Sequence, residues 1–176
     1  MLNSSLVRAF FTPDHKLFVI LDAAVVPALL AKLHHDEPEH VCLFRGELLQ
    51  NMAEVAPYLV HLERDSRFTQ WLLSQGWGKH WGIFAHIKPE IDLKQVRKHF
   101  RTLLRAELPN RRAQQFRFYD PYILKDFLTL CNEAETQTVF GRFVSAYFVE
   151  GDTADRAIRF TVNKKGLPYD ETLRLD

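Results

Sequence analysis

In the first half of the chain, segments of continuous apolar residues alternate with segments in which apolar residues recur at a regular spacing. Continuous apolar runs are typical of strands covered on both faces, and the clearest occupy residues 16–22, 41–44, 58–62 and 81–87. Between these runs, apolar residues recur three and four positions apart, which indicates helices with one buried face. The first such set is Val26, Leu29, Leu30 and Leu33. Strands that alternate with helices predict an α/β fold with a largely parallel sheet.

Polar residues at the predicted helix ends locate the helices along the chain. Asp92, with a glutamine three positions later, forms a variant of the capping box and predicts a helix start. Asp120 followed by Pro121 predicts another, because aspartate accepts from free N–H groups and proline has none to leave unpaired. Gly76 is predicted to end the preceding Ser66-capped helix in left-handed backbone geometry.

The second half of the chain is predicted to add three strands. One covers residues 114–119, and two more cover residues 143–149 and 157–162. Glu150-Gly151-Asp152 is expected to join the last two as an antiparallel hairpin. The tail after Gly166 is polar and is expected to fray.

The predicted fold class is α/β, with a single domain over residues 1–176 and a mixed, mostly parallel sheet flanked by helices. The C-terminal hairpin and tail are expected over residues 150–176. Hydrophobic residues make up 47% of the chain and charged residues 26%. That composition belongs to a globular protein, which argues against disorder.

Charge, cysteines and targeting signals bear on the compartment. Lys and Arg number 23 against 22 Asp and Glu, so the formal charge of +1 gives no overall field for nucleic acid or a membrane. The N terminus lacks a signal-peptide pattern, and no apolar run reaches the roughly 18 residues that span a bilayer. Cys42 and Cys131 make no disulfide framework. We therefore expect a cytoplasmic protein without membrane contact.

Sequence motifs for catalysis and cofactor binding are absent. The metal-binding spacings HExxH and CxxC do not occur, and neither do the nucleophile elbow GxSxG or the phosphate-binding GxGxxG. We expect no catalytic residue, no metal and no cofactor. One alternative stays open: a hydrolase that uses an unrecognised carboxylate or histidine set.

The helix predicted after Asp92 carries its cations on one stripe. Its members are Lys94, Arg97, Lys98, Arg101 and Arg105, with Arg111 and Arg112 beyond them. Such a stripe can bind phosphates, so a nucleic-acid-binding module is a second alternative. Aromatic residues for base stacking are not interleaved on that stripe, and we favour a solvated face over nucleic acid. An acidic protein partner remains open.

The most unusual string follows the strand predicted over residues 114–119. Helix capping alone explains Asp120 and Pro121. It leaves Arg117 and Tyr119 unexplained, at a strand end where α/β sheets place binding sites.

At this string the sequence resembles a known family. Arg117-Phe118-Tyr119-Asp120-Pro121 is similar to the RFYDP signature of the bacterial type VI secretion adaptors, also called effector chaperones. Phe100 departs from the family, which has leucine there more often. The resemblance extends from about Lys16 to Val149. Further strings that match in order and spacing are residues 21–24, 42–46, 56–60, 76–83, 99–104 and 140–141.

The resemblance implies a non-enzymatic, cytoplasmic adaptor. Such a protein binds a toxic effector and loads it onto the VgrG spike before secretion. The candidate protein-binding residues are Arg117, Tyr119, Asp120, Trp77 and Trp81. The cationic stripe from Lys94 to Arg105 is a second candidate, for docking an acidic surface.

Overall fold

The computed structural model of the protein describes residues 4–105 and 116–176. The strands are Lys16–Asp22 (β1), His40–Cys42 (β2), Pro57–Leu62 (β3), Gly82–Ile87 (β4), Val144–Glu150 (β5), Arg156–Val162 (β6) and Pro168–Arg174 (β7). The helices are Ser4–Phe10 (α1), Leu29–Asp36 (α2), Gln50–Ala53 (α3), Arg67–Trp71 (α4), Leu93–Leu103 (α5), Pro121–Leu130 (α6) and Glu133–Phe140 (α7). A π-helical turn over Leu72–Gly76 continues α4. Among the described residues, no helix is both long and apolar enough to cross a bilayer.

The described strands form one sheet in the order β2-β3-β1-β4-β5-β6-β7. Every neighbouring pair in it is antiparallel. The α/β class and the antiparallel β5–β6 hairpin are confirmed, but the prediction of a mostly parallel sheet is wrong. The two strands on either side of a helical connection do run parallel to each other: β1 with β2, and β3 with β4. However, β3 lies between the first two and β1 between the second two, so no parallel strands become neighbours.

Helices cover both faces of the sheet and create two cores. Helices α5, α6 and α7 pack on one face, against side chains such as Phe18 and Ile20 of β1. Helices α1, α2 and α4 pack on the other, against Leu17 and Val19. Successive side chains of β1 therefore point into the two cores in turn. Because both faces of the strand are buried, its apolar residues are consecutive.

Three local predictions are wrong. Residues 116–119 form no strand, because 116–117 are irregular and 118–119 lie in a turn, and residues 114–115 lie outside the described residues. The tail does not fray but forms β7, because the side chain of Asn163 accepts from the backbone N–H groups of Lys165 and Leu167 and shapes a hairpin turn. Gly76 has no positive φ. Glycine is needed there because a Cβ would lie 2.5 Å from Cε3 of Trp81.

The predicted helix starts are confirmed. Asp92 and Gln95 make both hydrogen bonds of a capping box at α5, and Ser66 caps α4. Asp120 caps α6, with Pro121 as its first residue. These ends follow from residues three positions apart, so short-range sequence determines them.

Candidate functional site

One end of the sheet gathers polar side chains from distant parts of the sequence. Strands β1 and β5 end there, at Asp22 and Glu150, while β3, β4 and β6 begin there. The turn before α6 joins them through Arg117. We call this region the Asp22 end.

An ion pair links the first strand to the turn before α6. Nη2 of Arg117 donates to Oδ2 of Asp22 at 2.7 Å, and the other carboxylate oxygen accepts from the backbone N–H of Ala24 at 2.9 Å. The Asp22 side chain is 6% exposed, whereas the Arg117 side chain is 46% exposed. The guanidinium also lies 5.8 Å from the ring centroid of Tyr119. The buried carboxylate thus fixes a cation that faces solvent.

The two neighbouring candidates of the same string have structural roles. Tyr119 is buried, and burial, followed by the charge of Asp22, raises the pKa of its hydroxyl above the ordinary value. Oδ1 of Asp120 accepts from the backbone N–H groups of Tyr122 at 2.9 Å and Ile123 at 3.3 Å. The Asp120 carboxylate is therefore occupied as the cap of α6.

The two candidate tryptophans are held by internal contacts. Nε1 of Trp77 donates to the carbonyl of Ala154 at 2.8 Å, and the ring packs edge-on against Phe10. Trp81 is buried, with its ring centroid 5.4 Å from that of Trp71. Both side chains therefore support the loop before β4, and Trp81 also lines a cavity at the Asp22 end.

That loop is tied to a buried carboxyl group at the end of β5. Oε2 of Glu150 accepts from the backbone N–H of His80 at 2.9 Å, where His80 has a left-handed φ of 54°. Burial raises the pKa of Glu150 to about 7. Burial also lowers the pKa of His80, whose Nδ1 lies 3.6 Å from the same carboxylate oxygen, beyond hydrogen-bond distance. The Glu150 carboxyl group thus sets the backbone shape beside Trp81.

Two shallow cavities adjoin at the Asp22 end, and Val25 lines both. The smaller, of about 270 Å³, lies among Asp22, Val25, Lys79, His80, Trp81 and residues 119–122. The larger, of about 590 Å³, is bordered by residues 23–31 together with Gln50 and Glu54. Exposed apolar side chains occur on the segments that line them. These are Val25, Met52, Val55 and Tyr122.

The cationic stripe lies on α5, away from most of this region. Arg101 is its structural member: Nε donates to the carbonyl of Leu43, and Nη2 to those of Cys42 and Phe44, at 3.0–3.1 Å. Burial, followed by the nearby charges of Arg97 and Arg45, lowers the pKa of Arg101. Within the described part of the chain, the other stripe members make no salt bridge; they are Lys94, Arg97, Lys98 and Arg105. Arg111 and Arg112 lie outside the described residues.

Comparison with known proteins places the chain in a family. Residues 17–138 match the model of a domain of unknown function, DUF4123. The chain belongs to the DUF4123 family. No curated protein and no solved structure matches it. The DUF4123 match includes Asp22, Trp81 and Arg117 and ends before β5, so Glu150, β6 and β7 lie beyond it.

The structure groups the predicted site residues of this DUF4123 chain in two places. Arg117, Tyr119, Asp120, Trp77 and Trp81 belong to the Asp22 end or its supporting loop, and the stripe from Lys94 to Arg105 follows α5. Among the described residues, no group of three or more His, Cys, Asp or Glu side chains is placed to hold a metal ion.

Four residues at the Asp22 end were not predicted as site residues: Asp22, Val25, His80 and Glu150. An aspartate that ends a fully apolar strand, as Asp22 does, is a signal that sequence analysis could have used.

Proposed function

We propose that this DUF4123 protein is a non-enzymatic cytoplasmic adaptor, which binds a type VI secretion effector and loads it onto the VgrG spike. The observation that carries the proposal is the meeting of separate segments at the Asp22 end. The segments 21–24, 76–83 and 117–121, which carry much of the sequence resemblance, each contribute to the lining of its smaller cavity, through Asp22, residues 79–81 and residues 119–121. A shared surface built from those segments is what a common binding function would need.

The chemistry of the Asp22 end favours binding to a protein. Both carboxylate oxygens of Asp22 and Oδ1 of Asp120 accept hydrogen bonds within the chain, which gives these groups structural roles. Beside them, Val25 and Tyr122 are 49% and 59% exposed, and Arg117 presents a fixed guanidinium. Exposed apolar and aromatic side chains with an arginine at their edge are typical of interface centres.

The hydrolase alternative predicts a deep pocket with convergent, unoccupied polar groups. The cavity beside Asp22 measures about 270 Å³, below the roughly 300–1,000 Å³ of small-molecule sites. The adjoining cavity of about 590 Å³ has that size, but its lining side chains are apolar apart from Gln50 and Glu54. These features support the adaptor proposal over the hydrolase.

The proposal is tested by affinity purification from the native cells under secretion-inducing conditions, followed by mass spectrometry. We expect a VgrG-like spike protein and a toxin to be enriched with the wild-type chain. The double variant Val25→Ser/Tyr122→Ala removes two exposed anchors and should reduce recovery about tenfold or more.

The chain offers a matched control for this variant on its outer strands. Val162 and Tyr169 are 43% and 58% exposed, close to the values for Val25 and Tyr122. The variant Val162→Ser/Tyr169→Ala should recover both partners as the wild type does. Recovery of neither spike nor toxin by the wild type contradicts the adaptor function. Loss in the control with retention in the test variant contradicts the position of the surface.

A further inference from the structure

A second exposed surface lies at the other end of the sheet. Nζ of Lys16, at the start of β1, donates to the carbonyl of Ile91 at 2.9 Å, which places the beginning of α5 there. Because β1 has seven residues, that position lies roughly 20 Å along the strand from Asp22. The N-terminal half of α5 is therefore separate from the surface used in the proposed function.

Positive charge on α5 is not neutralised by neighbouring acids. Lys94 and Lys98 are exposed, Arg97 is partly exposed, and none makes a salt bridge with any described residue. Arg101 keeps its place by donating to backbone carbonyls, which neutralise no charge. The local field at this face is thus positive although the whole chain carries only +1.

A groove of about 490 Å³ runs beside the first cations, between β2 and the start of α5. Val41 and Leu93 give it apolar walls, while Lys94 and Arg97 border it. Two acids also line it: the carboxylate of Glu39 lies 2.9 Å from Nδ1 of His61, and Asp92 caps α5. Both keep their negative charge, but the five cations of the stripe outnumber them, so the face as a whole stays positive. Apolar walls next to arginine suit a peptide better than a chain of phosphates.

We propose that this groove and the α5 stripe form a docking surface for an acidic segment of a partner protein. Glutamates or aspartates of that segment pair with Lys94, Arg97 and Lys98, and its apolar side chains enter between Val41 and Leu93. The planar guanidinium of Arg97 binds a carboxylate through two parallel hydrogen bonds, and the lysines act as point charges. The eleven residues of α5 offer roughly 16 Å of length, enough for about three turns of a helical partner.

The test measures fluorescence anisotropy of a labelled helical peptide of about 12 residues, with glutamates on one face and leucines on the other. The wild-type chain is compared with Lys94→Glu/Lys98→Glu at low salt. Reversal of two charges should weaken binding about tenfold or more. The matched control is Lys164→Glu/Lys165→Glu, in the exposed turn before β7, which changes the net charge by the same amount. It should bind within about twofold of the wild type.

Three results would overturn the proposal. The first is that the wild-type chain does not bind the peptide, and the second is that both charge-reversal variants weaken binding equally. The third is that a labelled single-stranded oligonucleotide of the same charge binds more tightly than the peptide, which makes the stripe a nucleic-acid surface. The neutral variant Lys94→Gln/Lys98→Gln, against Lys164→Gln/Lys165→Gln, gives the same comparison if charge reversal disturbs folding.

Discussion

An arginine–carboxylate pair occurs both at the Asp22 end and on the outer strands β6 and β7, and the two pairs differ in separation, in burial of the carboxylate and in the segments that they join. At the Asp22 end a buried carboxylate holds Arg117 at 2.7 Å. On the outer strands Arg159 and Glu171 lie 3.7 Å apart, with both side chains substantially exposed. The first pair joins segments 95 positions apart, whereas the second joins neighbouring strands of a hairpin. A solvent-facing arginine is therefore held by a buried carboxylate at the Asp22 end and by an exposed carboxylate on the outer strands.

The largest expected effect comes from removing the acid of each pair. Asp22→Ala leaves the N–H of Ala24 and the guanidinium of Arg117 without their acceptor, and should lower the free energy of unfolding by about 3 kcal/mol. Glu171→Ala should change it by less than about 0.5 kcal/mol, because an exposed pair contributes little. Urea denaturation followed by tryptophan fluorescence measures both. Equal losses would remove the distinction between the regions.

A smaller, pH-dependent effect is expected from Glu150. Its pKa rises from 4.5 to about 7 in the folded chain, so folding is favoured where the group is protonated. Stability from this group is complete below about pH 4.5, falls as the pH rises, and levels off above about pH 7.

Glu150→Gln lacks this pH dependence. Its unfolding free energy relative to that of the wild type should therefore rise by roughly 2–3 kcal/mol over the window. Titrating groups far from residue 150 are common to both proteins and cancel in the difference. Glu171→Gln on the outer strand should follow the wild type at every pH. A Glu150→Gln curve parallel to that of the wild type would contradict the raised pKa.

The smallest expected effect distinguishes two arginines of α5, Arg101 and Arg97. Arg101→Gln removes donors to the carbonyls of residues 42–44, and should cost about 1–2 kcal/mol of unfolding free energy. Arg97→Gln, on the same helix but without such contacts, should cost less than about 0.5 kcal/mol. Thermal unfolding by circular dichroism compares them. If Arg97→Gln proves the more damaging, Arg97 is structural and cannot serve as a free docking residue.

Sequence predicted the parts of this fold that depend on near neighbours. Asp92 and Asp120 mark helix starts because their partners lie two or three residues away. Helix α7 was missed although Asn132 and Glu135 make a capping box of the same kind. The apolar residues of α7 are too weakly spaced to predict a helix. Strand β7 was missed because an edge strand exposed on both sides carries no apolar alternation.

The sheet direction and the site depended on distant partners. No residue in or next to β1 indicates that β3 and β4 are its neighbours in the sheet. In the same way the sequence singles out Arg117 as unexplained, but it does not assign Asp22 as the partner of this arginine. The sequence predicts a turn at Glu150, and only the tertiary structure shows its carboxyl group buried against the loop before β4.

The position of β1 also constrains the order in which the chain can fold. This strand leaves the ribosome early, yet its partners β3 and β4 end at Leu62 and Ile87. Strand β5, which must cover the other edge of β4, follows only after three more helices. A nascent chain therefore exposes an apolar strand edge for much of its synthesis, and its sheet closes through slow, long-range pairings. The place of β1 inside the sheet thus delays its pairing on both sides until β3 and β4 have been synthesised.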